Sequence, residues 1–166
     1  RPPDAGASGI VAILDVLSSP GRDWQVLHGE TVREPFFLPR LLTQDGKPFS
    51  GPNGLVIEPH GAFADRPEPD IIIIPELLLD PSAPLPEVYQ PIADWLRAMH
   101  AKGAILASVC SGSMLLGQTG LLDGEDATSH WGYCDMMSRN FPKIRMRRER
   151  ILVPAGIGHR LITAGG

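Results

Sequence analysis

At 166 residues, 43% of them hydrophobic, the chain is long enough for one sizeable core and too apolar for a disordered segment. Nineteen acidic residues against fifteen basic ones leave a formal charge of −4, so nothing global draws the chain to nucleic acid. Two cysteines exclude a disulfide framework and fit a reducing cytoplasm, and no apolar run approaches the length of a membrane span, so no membrane partner is expected.

From the N-terminus, Ile10, Ile13, Leu14 and Leu17 recur at helical spacing and predict a helix over residues 7–18. Trp24–His28 reads as a short strand. Residues 36–43 and 55–58 read as extended segments around the turn signals Asp45-Gly46 and Pro52-Asn53-Gly54. Asp70-Ile-Ile-Ile-Ile-Pro75 predicts a strand buried on both faces, as in a parallel sheet. Residues 85–102 predict an amphipathic helix with Leu85, Val88, Ile92, Trp95, Leu96 and Met99 on its apolar face, ended by Gly103. Then come a strand over 104–109, a helix from Met114, a turn at Leu122-Asp123-Gly124, a short strand carrying His130 and a helix over 132–140. Strands near 151–154 and 160–163 complete the chain. Alternation of this kind predicts an α/β, doubly wound sandwich with a mostly parallel central sheet.

Ser108-Val109-Cys110-Ser111-Gly112-Ser113 carries the most chemistry. A buried strand ends at a thiol, small residues follow, and a helix begins. A cysteine at that corner meets the positive end of the helix dipole, which favours thiolate over thiol. Gly112 lets the backbone pass close to the corner. The pattern is a nucleophile elbow with Cys in place of Ser; the plainer alternative is a buried structural cysteine. His130 follows in Ala127-Thr128-Ser129-His130-Trp131, and a strand carrying it beside the elbow would bring an imidazole to the thiol. Cys134, one helical turn further, reads as a buried filler. Trp131 reads as core, with an aromatic wall for a small ligand as the alternative. Lys143–Arg150 is basic, but its apolar residues alternate with charge, as in a half-exposed edge strand rather than a DNA contact. His28, His60, His100 and His159 show no metal-ligand spacing, so no metal and no cofactor are assigned.

From Ser108 to Trp131 the chain resembles the ThiJ/PfpI branch of the class I glutamine amidotransferase-like superfamily. More narrowly, it is similar to the domain found at the N-terminus of AraC-type transcriptional regulators. The carriers are the V-C-[ST]-G elbow, the G-L-L-D-G turn and the T-[TS]-H-W segment, with Phe141-Pro142, Ile151–Val153 and Leu161–Gly166 fitting the same subgroup. The resemblance implies a flavodoxin-like sandwich, a homodimer and a single such domain over residues 1–166. The chain reads as cut at both ends, with no helix-turn-helix module inside it, so DNA would be met only through a module elsewhere.

Two departures bear on activity. Enzymes of the superfamily carry an acid near the start of the first helix, hydrogen-bonded to the cysteine. Aligned on Asp15-Val16-Leu17, that position is Gly9, and Asp4 is the only carboxylate nearby. Where the family often has Pro-Gly-Gly, offering backbone N–H groups to an oxyanion, this chain has Pro75-Glu76-Leu77, which adds a negative charge. Both favour ligand sensing over acyl or hydration chemistry. The preferred reading is a small-molecule-sensing domain of an AraC-type regulator, its cleft formed by Glu76, Leu77, Cys110, Ser111, His130 and Trp131. The alternative is a ThiJ/PfpI-type cysteine hydrolase or hydratase, isonitrile-hydratase-like, with Cys110 as nucleophile and His130 as its partner.

Overall fold

The computed structural model describes residues 5–51, 54–65 and 68–166, so Asp4 and the turn residues Pro52 and Asn53 lie outside the described residues. The chain divides into two compact units, Gly6–Asp65 and, with Ala5, the chain from residue 66 to Gly166.

In the first unit the helical spacing of Ile10 and its partners gives α1 (Ala7–Ser18), with no acidic residue in its first turn. Trp24–His28 does not form a strand; it lies in a second helix, α2 (Asp23–His28). Three local features select the helix. The Ser19 hydroxyl donates to Asp23 at 2.7 Å, Gly29 closes the C-terminus in the left-handed conformation, and Trp24 stacks on His28 one turn later with ring centroids 3.8 Å apart. Trp24, Val26 and Leu27 all stay exposed, so the apparent alternation had no sheet face to bury. The extended segments condense to the short strands β1 (Leu42–Thr43) and β3 (Val56–Ile57), and two strands form outside them, β2 (Phe49–Ser50) and β4 (Gly61–Ala62). β1 pairs with β4 in parallel and β2 with β3 antiparallel.

The second unit begins with β5 (Ile71–Ile74). A 3-10 turn over Glu87–Tyr89 leads into α3 (Gln90–Ala101), and Gly103, at φ +114°, ends the connection. The apolar face of this segment starts at the fully buried Tyr89 and continues through Ile92, Ala93 and Leu96, whereas Val88 points outward. The 3-10 turn rotates Val88 off the stripe that a continuous helix would give it. β6 (Ile105–Val109), α4 (Gly112–Gln118), β7 (Asp126–Ala127), α5 (Cys134–Asn140), β8 (Arg145–Met146), β9 (Leu152–Ala155) and β10 (Leu161–Ala164) follow.

The main sheet runs in the order β5-β6-β10-β9. β5, β6 and β10 are parallel, with Ile73 opposite Ala107 and Ala107 opposite Ile162, and β9 adds antiparallel to β10. Among the described residues β5 is therefore an edge strand. Ile71 is 45% exposed and only Ile74 of the four isoleucines is buried, so this strand is not buried on both faces. The core gathers around β6, α4 and α5: Leu106 on β6, Met114 and Leu116 on α4, Leu122 in the turn after it and Met137 on α5 have no exposed surface. β7 and β8 form a separate parallel pair. With its mixed helices and strands and its mostly parallel main sheet, the chain has an α/β, flavodoxin-like fold.

Candidate functional site

The elbow forms at the C-terminal end of β6, the central strand flanked by β5 and β10. Cys110 takes φ 57°, the left-handed region that residues with a side chain seldom enter. Its N–H donates to the Ala164 carbonyl on β10 at 2.9 Å. Its own carbonyl lies 3.0 Å from the Ser113 hydroxyl and 3.2 Å from the Ser129 hydroxyl, and those two hydroxyls are 2.7 Å apart. Gly112 then opens α4. A Cβ there would stand 2.4 Å from the Pro75 carbonyl oxygen and 2.6 Å from that of Ile74, so only glycine lets the helix start rest on the end of β5. Cys110 is half-buried. Cys134 is 1% exposed, its sulfur lies 3.6 Å from the His130 carbonyl, and burial pushes its thiol up.

His130 does not lie on a strand. β7 ends at Ala127, and His130 instead precedes a 3-10 turn over Trp131–Tyr133. Its Nδ1 accepts the Gly132 N–H at 3.2 Å, so the neutral ring carries its proton on Nε2. Imidazole and thiol face one small space. A Cβ on Gly166 would sit 2.8 Å from His130 Cδ2 and 3.3 Å from Cys110 Sγ. The Tyr133 ring stands edge-on to His130 at 6.1 Å, and its hydroxyl donates to the Leu79 carbonyl at 2.9 Å. Trp131 is not core. It is 80% exposed, 5.1 Å from the His130 ring, because it lies on a short turn where no sheet face receives its indole.

The wall after β5 is fastened to the elbow. The Ser111 hydroxyl donates to the Leu77 carbonyl at 2.6 Å and accepts the Leu77 N–H at 2.9 Å. Both residues are buried, so their side chains shape the wall rather than face an incoming ligand. The Leu77 N–H, a candidate oxyanion donor by sequence position, is occupied by that serine. Arg139 donates to the Pro81 carbonyl at 2.6 Å and holds the same loop further along. Glu76 and His130, half-buried, and Trp131, exposed, are the expected ligand contacts that remain open. Sequence reasoning missed Ser113, Ser129 and Tyr133, whose roles arise from contacts across the chain.

The basic segment is largely neutralised. Arg145 and Arg147 both donate to Asp126, at 2.6 and 2.8 Å, Arg148 pairs with Asp135 and Lys143 with Asp123. Those bonds, with Arg147 the stronger, hold the Asp126 carboxyl below the usual carboxylate range. Among the described residues no three His, Cys, Asp or Glu side chains are grouped to hold a metal ion, and no helix is long and apolar enough to cross a membrane.

Known proteins resemble this chain in sequence and fold. The HTH-type transcriptional regulator CdhR of Pseudomonas aeruginosa is 29% identical over 126 residues, 76% of this chain and 35% of that protein. Isonitrile hydratase of Pseudomonas putida is 37% identical over 97 residues, 58% of this chain and 41% of that protein. This chain thus spans well under half the length of either relative. The crystal structure of an AraC family transcriptional regulator from Pseudomonas putida superposes with a TM-score of 0.71 at 20% identity, covering 97% of this chain and 78% of that one, a likeness of fold. The DJ-1/PfpI family model matches residues 40–164, from just before β1 to the last residue of β10, and the chain belongs to the DJ-1/PfpI family.

Proposed function

We propose that this chain is the ligand-sensing domain of an AraC-type transcriptional regulator, and that a small metabolite is read in the cleft between Cys110, His130 and Glu76. The observation that carries this reading is the occupied Leu77 N–H. A Cβ on Gly166 would lie against both Cys110 and His130, and one backbone N–H that could meet an oxyanion there, that of Leu77, is bonded to the Ser111 hydroxyl. The first turn of α1, where the enzymes of the superfamily place their acid, holds Gly9 and no carboxylate. The regulator CdhR among the relatives supports the same side. Homodimerisation, a DNA-reading module elsewhere in the protein and a cytoplasmic location belong to this proposal.

The experiment is a metabolite screen on the full-length protein, read as release or gain of operator binding. Cys110→Ser keeps a small polar side chain at the elbow, so operator binding should persist while the metabolite response changes. Loss of operator binding without metabolite would overturn the assignment of Cys110 to sensing alone.

The hydratase reading rests on one observation, the 37% identity to isonitrile hydratase over 97 residues. There Cys110 Sγ would attack the electrophilic carbon and His130 would move the proton.

A further inference from the structure

We propose that Ser113 and Ser129 are positioning residues: their buried hydroxyl pair clamps the Cys110 carbonyl and so fixes the thiol against the imidazole. The inference rests on reading Cys110 and His130 as the working pair of the cleft. Cys110 holds a left-handed backbone at φ 57°, and such a residue persists only where its surroundings over-determine it. The N–H side is held by the β10 ladder, through Ala164. Among the described residues the carbonyl side has no ladder partner, and the two hydroxyls stand 3.0 and 3.2 Å from it.

The pair also spans the two segments that carry the chemistry. Ser113 lies in the first turn of α4, three residues after the thiol, and Ser129 immediately precedes His130. Their 2.7 Å contact makes Ser113 the donor and Ser129 the acceptor, which leaves the Ser129 proton for the Cys110 carbonyl. Both side chains are buried, so water does not replace a lost hydroxyl easily. A shift of the elbow therefore reaches the residue beside the imidazole through a chain of hydrogen bonds. Without the clamp, Cys110 can relax out of the left-handed region and swing its sulfur away from His130.

The test is site-resolved alkylation of the purified full chain by iodoacetamide, with Cys110 and Cys134 quantified separately by mass spectrometry. Ser113→Ala with Ser129→Ala should slow Cys110 by about fivefold, as expected for a thiol no longer held against its imidazole partner. Ser129→Thr, which keeps the hydroxyl, should restore the rate to within about twofold. Thr119→Val removes another buried hydroxyl, one that donates to Leu116 at the far end of α4, and should leave Cys110 unchanged. A wild-type rate in the paired variant overturns the clamp. A faster rate also overturns it, because the hydroxyls would then only shield the thiol. If the paired variant unfolds, Cys134 reacts as fast as Cys110. The single variants then carry the test, with Cys110 slowed and Cys134 still protected. His130→Gln probes the underlying reading separately: an unchanged Cys110 rate there removes the thiol–imidazole pair, whatever the serine variants do.

Discussion

Gly112→Ala is the sharpest structural test of the elbow. The added methyl would stand 2.4 Å from the Pro75 oxygen, 2.6 Å from the Ile74 oxygen and 3.1 Å from the Pro75 carbonyl carbon. All three are backbone atoms at the end of a strand in the main sheet, so relief requires the helix start and β5 to move apart. Overpacking costs typically about 1–3 kcal/mol, and a site with no yielding side chain belongs at the upper end, about 3 kcal/mol. For a chain of this size each kcal/mol lowers the melting temperature by about 2–4 °C, so the expected drop is about 6–12 °C. Gly117→Ala on the same helix is the control. Its methyl would meet the Phe141 ring at 2.7 and 2.8 Å, a half-buried side chain that can turn aside. The helix gains about 1 kcal/mol on replacing glycine, which offsets much of that cost. Thermal unfolding followed by circular dichroism should separate the two variants by several degrees. A Gly112→Ala protein that melts with the wild type, or level with Gly117→Ala, refutes the close approach on which the elbow geometry depends.

Two more outcomes follow from the same geometry. In the wild type, iodoacetamide at neutral pH should label Cys110 well before Cys134, since Cys110 is half-buried while Cys134 is enclosed and burial pushes its thiol up; equal labelling contradicts the assignment. Asp126 is held below the usual carboxylate range by Arg147 and then Arg145, so its stabilising effect is complete above the unfolded value near about pH 4 and is lost as pH falls through the lower folded value. Asp126→Asn should flatten the acid limb of the stability profile in denaturant titrations at stepped pH, and an unchanged limb would remove that pair from the account.

What the sequence disclosed was what is local. The elbow from Ser108 to Ser113 is contiguous, so its strand, corner and helix could be read directly, and the structure sets Cys110 at that corner in a left-handed conformation. The helix over residues 7–18 was legible from its apolar spacing, and strands expected near 151–154 and 160–163 form as β9 and β10, each shifted by one residue. α2 was misread because Trp24 and Val26 alternate with polar residues, while the deciding contacts, Ser19 to Asp23 and Trp24 to His28, are helical ones. Four isoleucines in β5 carry no information on whether a neighbour lies on each side, and Ile71 is exposed. Apolar type misled at Trp131 for a similar reason, since what sets its exposure is the 3-10 turn after β7. The Ser113–Ser129 contact joins residues sixteen positions apart and the Ser111–Leu77 pair residues thirty-four apart, so neither leaves a spacing to recognise. The position of Leu77 after the β5 segment marked it as part of the cleft; the bonded state of its N–H could come only from the fold.

The central claim is that the Cys110–His130 cleft reads a ligand rather than turning one over. The most direct measurement is a turnover assay of the purified protein and its Cys110→Ser variant on amides, isonitriles and glyoxals. The sensing account predicts no multiple turnover by either form on any of the three classes. Cys110-dependent multiple turnover on any one, abolished in Cys110→Ser by a factor approaching the roughly million-fold loss seen when a hydrolase loses its nucleophile, would contradict it.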